Sequence, residues 1–426
     1  MQTANIECYL DNDSIFQNIN KKFISLDFED MKNNNRHLAE VFNELIEAMK
    51  RQSPLFSKTF QRIVYVGSYF KKTRVGEPEE YDLNFVINLP FKERDMEFIS
   101  DCPGFIKIRT TWRDRDMSFN TLNLEREALK ELESFIDHES YLNQDKFRTW
   151  MEGILSKVAY ESSKSNQIKL SDHILITVKK AGPAFTLKIS GKRIDIDVVP
   201  VLAFSTRNLP PKCSNKEFLE GCKSPDSRYW SVVPKPLNNS ANFNDSTYRY
   251  WRLCFYEFEK DILAEHGRTK PIIRLLKKLR DTQNWNNIAS YYIETLCLNE
   301  LDTFWILKRK SFTFLFFTML QKLREAFRKG SITYFWDEDL NLLENIGWFE
   351  MKCMEGRIDR IIKKIEKTIE INKYAIAEWI LNEDELNHLQ FIDRASSDRS
   401  ILYESSESES SESEPEPANQ WRCVIV

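Results

Sequence analysis

Two carboxylates one residue apart, Glu80 and Asp82, open an apolar run containing Leu83, Phe85 and Val86. About a dozen residues upstream, Gly67-Ser68 closes another apolar run, Ile63-Val64-Tyr65-Val66. Side chains on a strand alternate faces with period two, so Glu80 and Asp82 point the same way. Like charges held side by side repel, and a divalent cation relieves that repulsion. Hard oxygen donors of this kind suit Mg²⁺ or Mn²⁺, with phosphate or water completing the coordination shell. A glycine lets backbone approach closely and a serine adds an N–H and a hydroxyl, so the turn before the acids suits a phosphate. The chemistry in outline is that of a phosphate handled beside a metal.

The order strand, Gly-Ser, loop, acid-apolar-acid, strand resembles the signature of the polymerase-beta-like nucleotidyltransferases, whose fold places a third acid on a neighbouring strand. Further along the chain, Arg193-Ile194-Asp195-Ile196-Asp197-Val198-Val199-Pro200 reads as a strand with two acids on one face. The resemblance selects Asp197, which immediately precedes two apolar residues and a proline. Asp195 is the alternative.

Several elements must hold these residues. From Arg36 to Arg51 the positions Leu38, Val41, Phe42, Leu45, Ile46 and Met49 recur at helical spacing, which predicts a long helix packed behind the sheet as a spine. Lys92 to Pro103 reads as a loop and Phe105 to Ile108 as a strand. Leu122 to Phe135 and Asp145 to Tyr160 read as helices. Three strands then follow at turn-length spacing, His173 to Lys180, Ala184 to Ile189 and Arg193 to Val199, separated by Gly182-Pro183 and Ser190-Gly191-Lys192.

Beyond Pro211 helical periodicity dominates, over Trp251 to Leu263, Pro271 to Arg280, Asn287 to Leu298, Leu301 to Phe327 and Met351 to Ile369. A loop containing Trp230, Pro234, Lys235 and Pro236 joins the two parts. The expected fold class is α+β and bilobed: a mixed-sheet catalytic lobe with an N-terminal spine helix, then a helical C-terminal lobe, with substrate in the cleft between them. The expected segments are a weakly ordered or short-helical stretch over 1–33, a nucleotidyltransferase core over 34–210, the helical lobe over 211–395 and an acidic tail over 396–426.

Composition narrows the class. With 426 residues, 42% of them apolar, the chain can bury a sizeable core. It contains no apolar run of about 18 residues and no basic-then-apolar start, so a soluble cytoplasmic protein is expected. The eight cysteines form no Cys-x-x-Cys pair, and reduced thiols are the default. The net charge of −4 is more than accounted for by six tail glutamates between Glu404 and Glu416, leaving a body near neutrality that can still carry a basic face. The Ser/Glu-repetitive tail buries too little to offset chain entropy and is expected to be disordered, with serines that suit an acid-directed kinase. The final Cys423-Val424-Ile425-Val426 has the shape of a prenylation box, so Cys423 is a candidate for lipidation and membrane attachment. Terminal valine and the acidic upstream stretch depart from the usual pattern.

Phrases in the helical part sharpen the resemblance: Trp251-Arg252-Leu253, Phe258-Glu259-Lys260-Asp261-Ile262-Leu263, His266-Gly267, Lys277, Ser290-Tyr291, Ser331-Ile332-Thr333-Tyr334-Phe335 and Leu340-Asn341-Leu342-Leu343. In order and spacing they are similar to the C-terminal lobe of cyclic GMP-AMP synthase and its animal receptor relatives, the Mab-21-type nucleotidyltransferases. The resemblance covers roughly residues 35 to 375. It implies an innate immune enzyme that joins ATP and GTP into a cyclic dinucleotide when a nucleic acid docks on its back face, with dimerisation on that nucleic acid.

By the same resemblance, Ser68 holds donor phosphates, and Glu80, Asp82 and Asp197 are catalytic and bind two Mg²⁺ or Mn²⁺ ions. Lys277 and Ser290 contact the triphosphate, Tyr291 stacks on a base and Arg252 reaches the other base. Tyr291 equally suits a core position, and Lys277, among Arg274, Lys278 and Arg280, equally suits a solvated face. Where vertebrate relatives insert a zinc-binding thumb of one His and three Cys, this chain has His266 but no cysteine before Cys297, so no zinc is expected. That departure favours double-stranded RNA over DNA as activator, since A-form RNA is read through backbone shape and charge. The candidate contacts are Arg51, Lys58 and Arg62 near the spine and Lys270, Arg274, Lys278 and Arg280 on the helical lobe. The alternatives are a template-free RNA nucleotidyltransferase and a catalytically inactive protein that keeps the fold and binds nucleotide or a partner.

Overall fold

A computed structural model describes residues 6–24, 28–76, 80–111, 122–171, 174–191, 195–220, 228–237 and 245–394. The acidic tail, Cys423 and most of the hairpin loop before Asp195 lie outside the described residues. The spine helix runs Phe28–Gln52, and Leu38, Val41, Phe42, Leu45, Ile46 and Met49 are all buried, as their helical spacing requires. Its Phe42 ring meets Phe85 edge-on at 5.9 Å, which seats the helix on the strand that carries the acids.

That strand belongs to a ten-stranded mixed sheet. The strands are β1 (Phe60–Val66), β2 (Glu80–Ile87), β3 (Met96–Cys102), β4 (Phe105–Thr110), β5 (Gln167–Lys169), β6 (Leu175–Ala181), β7 (Ala184–Ile189), β8 (Asp195–Ser205), β9 (Tyr229–Val233) and β10 (Tyr250–Cys254). The long β8 is central: one edge pairs in parallel with β2, while the other edge pairs with β7 over its first half and with β9 over its second. Such a strand must be apolar on both faces, and from Pro200 to Phe204 it is continuously buried.

Three stretches differ from the sequence expectation. Met96–Cys102 is a strand rather than a loop: Phe98 packs on Phe204 at 5.1 Å and Trp230 at 5.2 Å, and the intervening charges hide the alternation. Tyr229–Val233 is a strand within the expected connecting loop, and Tyr250–Cys254 is a strand where the helix was expected to begin. In β10, Trp251 and Leu253 face the core while their neighbours do not, and Trp251 Nε1 donates to the Leu142 carbonyl at 3.0 Å. Five residues of period-two pattern are too few to stand out beside the helix Tyr256–Glu265 that follows. The sheet therefore continues past residue 210.

The remainder is helical, with helices Thr269–Thr282, Ser290–Asn299, Leu301–Ile306, Phe312–Lys329 and Trp348–Thr368 and a small hairpin, β11 (Thr333–Tyr334) and β12 (Asp337–Asn341). The apolar stretch from Leu301 to Phe327 is broken at Ser311, whose hydroxyl accepts from the Phe314 amide and caps the second helix. Near the N-terminus, short helices at Glu7–Leu10 and Ser14–Ile19 pack onto this lobe. Phe16 stacks on Phe312 at 5.4 Å, and Asp13 accepts from the amides of Phe312 and Thr313. No described helix is long and apolar enough to cross a membrane.

Candidate active site

β1 ends in a turn that becomes the short helix Gly67–Lys71. Gly67 has φ +77°, and a Cβ there would overlap Asp82 Oδ2 and stand 2.8 Å from Asp82 Cγ. Only glycine fits, because the backbone is left-handed and the carboxylate occupies the side-chain space. The turn and the acid strand are thus in direct apposition. Ser68 is part-exposed, and its carbonyl accepts from Thr73 N at 2.8 Å, which closes the loop behind the turn.

The parallel pairing of β2 with β8 sets Glu80 opposite Asp195 and Asp82 opposite Asp197. Registered neighbours in a parallel ladder share a face, so two acid pairs lie side by side at the starts of the two strands. The field they make is visible at Asp82. Burial, then the charges of Glu80 and Asp197, push its carboxyl up to about 6, with Arg74 acting in the opposite sense.

The two β8 acids differ in their partners. Asp195 Oδ2 is 2.8 Å from Lys188 Nζ, a cation opposite it on β7, whereas Asp197 Oδ1 accepts from Thr186 Oγ1 at 2.6 Å. Asp195 is paired with a cation, whereas Asp197 is oriented by a neutral hydroxyl. Among the described residues no three carboxylates close to ligand geometry. Even so, the donor chemistry suits a cation: carboxylate oxygens share a face, and one carboxyl is driven toward protonation by burial and then by its neighbours' charges.

The remaining candidates lie on β10 and on the helical lobe. Arg252, on β10, has its guanidinium 5.2 Å from the Phe105 ring and 4.9 Å from the Tyr334 ring, and it shows no hydrogen bond among the described residues. Tyr291, at the start of the helix Ser290–Asn299, donates its hydroxyl to Glu259 Oε1 at 2.6 Å. Ser290 Oγ accepts from Arg280 at 2.8 Å. Lys277 is buried, not solvated: its ammonium donates to the Thr73 carbonyl at 2.9 Å and lies 3.6 Å from Glu294 Oε1, and burial lowers its pKa. Its charge is spent on the loop behind the turn.

The proposed basic contacts divide in the same way. Arg51 is exposed. Lys58 donates to the Asn123 carbonyl at 2.9 Å, and Arg62 makes a two-pronged pair with Glu257 at 2.7 and 2.8 Å. Lys278 is paired with Glu385, and Arg280 with Asp281. Arg274 reaches the Lys72 carbonyl and Asn20. Lys270 is half-buried, and its pKa is lowered by burial and by the nearby charges of Lys72, Lys260 and Arg274. His266 places Nδ1 2.9 Å from the Ile262 carbonyl, at the end of its helix.

Sequence reasoning missed Lys71, Thr73, Glu259, Glu294 and Trp336, which join the turn to the helical lobe in one buried network. Lys71 ends the short helix that begins at the turn, and a lysine directly after the aromatic pair Tyr69-Phe70 was the available signal.

Comparison with known proteins agrees with this geometry. Residues 69–265 match the model described as the Mab-21 protein nucleotidyltransferase domain, and residues 268–369 match the Mab-21 protein HhH/H2TH-like domain. A cyclic GMP-AMP synthase-like receptor of Microplitis demolitor is 35% identical over 393 residues, covering 90% of this chain and 70% of that protein. Receptors of the same name from Trichogramma pretiosum (34% over 400 residues; 89% of this chain, 78% of that one) and Aethina tumida (32% over 389; 88% and 93%) are similar. The acid register beneath a glycine turn, the helical second lobe and these matches lead to one conclusion: the chain belongs to the Mab-21 nucleotidyltransferase family, with the cyclic GMP-AMP synthase-like receptors.

Proposed function

We propose that this protein is a nucleic-acid-activated synthase that makes a cyclic dinucleotide such as cyclic GMP-AMP from ATP and GTP, with double-stranded RNA as activator, in innate immune sensing. The observation that carries the reading is the register of Asp82 with Asp197 on adjoining parallel strands beneath Gly67. Glu80, Asp82 and Asp197 would hold Mg²⁺ or Mn²⁺. Such ions, when bound, neutralise the attacking and leaving oxygens of an in-line phosphoryl displacement.

The chain's own groups do the rest. Ser68 and the turn amides orient the donor phosphates, and Thr186 fixes the Asp197 carboxylate through one oxygen so that the other serves the site. Ser290 lies at the triphosphate end. Tyr291 offers its ring to a base, and Arg252, already lying against two aromatic rings, offers a planar cation to the other. Lys277 acts at one remove, by holding Thr73. For the RNA, Arg51 and Lys270, with Lys72 and Lys260 near it, are the better candidates, because Arg62 and Lys278 already carry carboxylate partners.

The test is to incubate purified protein with labelled ATP and GTP, Mg²⁺ or Mn²⁺, and duplex RNA or duplex DNA, and to resolve phosphatase-resistant products. A cyclic dinucleotide formed only with duplex RNA is expected. Linear polymer would replace the reading with a template-free nucleotidyltransferase, and nucleotide binding without product would replace it with an inactive binding protein.

A further inference from the structure

Four charged side chains, Lys71, Lys277, Glu259 and Glu294, are buried together, each no more than 4% exposed. Lys71 Nζ lies 2.6 Å from Glu259 Oε2 and 3.1 Å from Glu294 Oε2. Thr73 Oγ1 donates to Glu294 Oε1 at 2.8 Å. The second oxygen of Glu259 accepts from Tyr291 at 2.6 Å and from Trp336 Nε1 at 3.1 Å. Tyr256, one helical turn before Glu259, donates to the Gly67 carbonyl at 3.4 Å.

The two carboxylates and two ammoniums balance. A balanced buried quartet is nonetheless a poor source of stability, because desolvation offsets most of the attraction and apolar replacements are often as stable. What it supplies is direction. Lys71 and Thr73 follow the phosphate-facing turn, with the Thr73 amide bonded back to the Ser68 carbonyl, while Tyr291 belongs to the helix that faces the base. Glu259 touches both through its two oxygens.

We propose that Glu259 is a positioning residue for the nucleotide site, setting the phosphate-facing turn through Lys71 and the base-facing Tyr291 through its other oxygen. This rests on the proposed function for what the site binds, and on the bonds above for the coupling. The turn and the base wall then move as one unit. A disturbance of either is carried to the other through Glu259, with Glu294, on the same helix as Tyr291, bonded to Lys71 and Thr73 beside it.

The experiment uses the full chain with Glu259→Gln, Lys71→Met and the double variant, which restores charge balance. Three quantities are read: Tm, amide hydrogen exchange over residues 67–76, and kcat and KM for ATP with GTP, Mn²⁺ and poly(I:C). Each single variant is expected to lower Tm, since it leaves an unpaired buried charge. The double variant should recover Tm yet keep exchange at 67–76 and the loss of kcat/KM each at about ten-fold or more.

Recovery of both exchange protection and kcat/KM in the double variant would reduce the network to charge balance and overturn the proposal. So would unchanged exchange at 67–76 in every variant. If the single variants do not fold, the double variant alone carries the test. If wild-type protein makes no product, the proposed function fails while the exchange comparison still decides the coupling.

Discussion

Gly67 and Asp82 share one volume: the carboxylate of Asp82 occupies the space where a side chain on residue 67 would stand. The apposition ties the phosphate-facing turn to the acid strand with no intervening atom. Gly67→Ala is therefore expected to cost about 1–3 kcal/mol, from the left-handed backbone and the overlap together, and to abolish turnover. Thermal unfolding and product formation check the two effects separately.

Asp82 makes a pH prediction. Its folded pKa, about 6, lies above the ordinary 3.8, so its ionised form costs stability at neutral pH, on the order of 2 kcal/mol after allowance for partial exposure. That cost is relieved as pH falls through 6 toward 3.8. In metal-free protein Asp82→Asn should raise Tm at pH 7.5 and have little effect on Tm near pH 4. Added Mn²⁺ should raise the Tm of wild type at pH 7.5 and that of Asp82→Asn far less. The opposite ranking would mean that Asp82 is not the strained member of the acid set.

Asp195 and Asp197 share a strand face but differ in company, the first beside Lys188 and the second beside Thr186. Asp197→Asn is expected to lower kcat by about 10³-fold, whereas Asp195→Asn should leave it within about three-fold. Steady-state assays of the two variants side by side decide the assignment.

Arg252 is held by ring faces, not by carboxylates. A lysine would keep the charge but not the plane, so Arg252→Lys is expected to raise the KM for one nucleotide about ten-fold with little change in Tm. Equal kinetics for the two proteins would show that the guanidinium only packs.

Charge reversal should separate structural from binding cations. Arg51→Glu with Lys270→Glu is expected to weaken duplex RNA binding and flatten its salt dependence. Arg62→Glu should instead lower Tm, because it leaves Glu257 facing a like charge. Gel shifts at several salt concentrations, with melting curves, distinguish the outcomes.

Much of the site was legible locally. The period-two spacing of Glu80 with Asp82 and of Asp195 with Asp197, the Gly67-Ser68 turn and the apolar stripe of the spine are short-range patterns, and backbone geometry alone turns them into faces. Strands β3, β9 and β10 were not legible, since they are short or interrupted by charge and are strands because the sheet pairs them.

What the sequence by itself determined, then, is which residue types meet at a strand end and which helix backs them. Only the tertiary structure decided that Asp82 lies beside Asp197, that Lys188 draws Asp195 aside, and that Lys71 finds Glu259 and Glu294, 188 and 223 residues away. The physical reason is that strand register and the burial of paired charges depend on contacts between distant segments, and no local pattern carries the energy of those contacts.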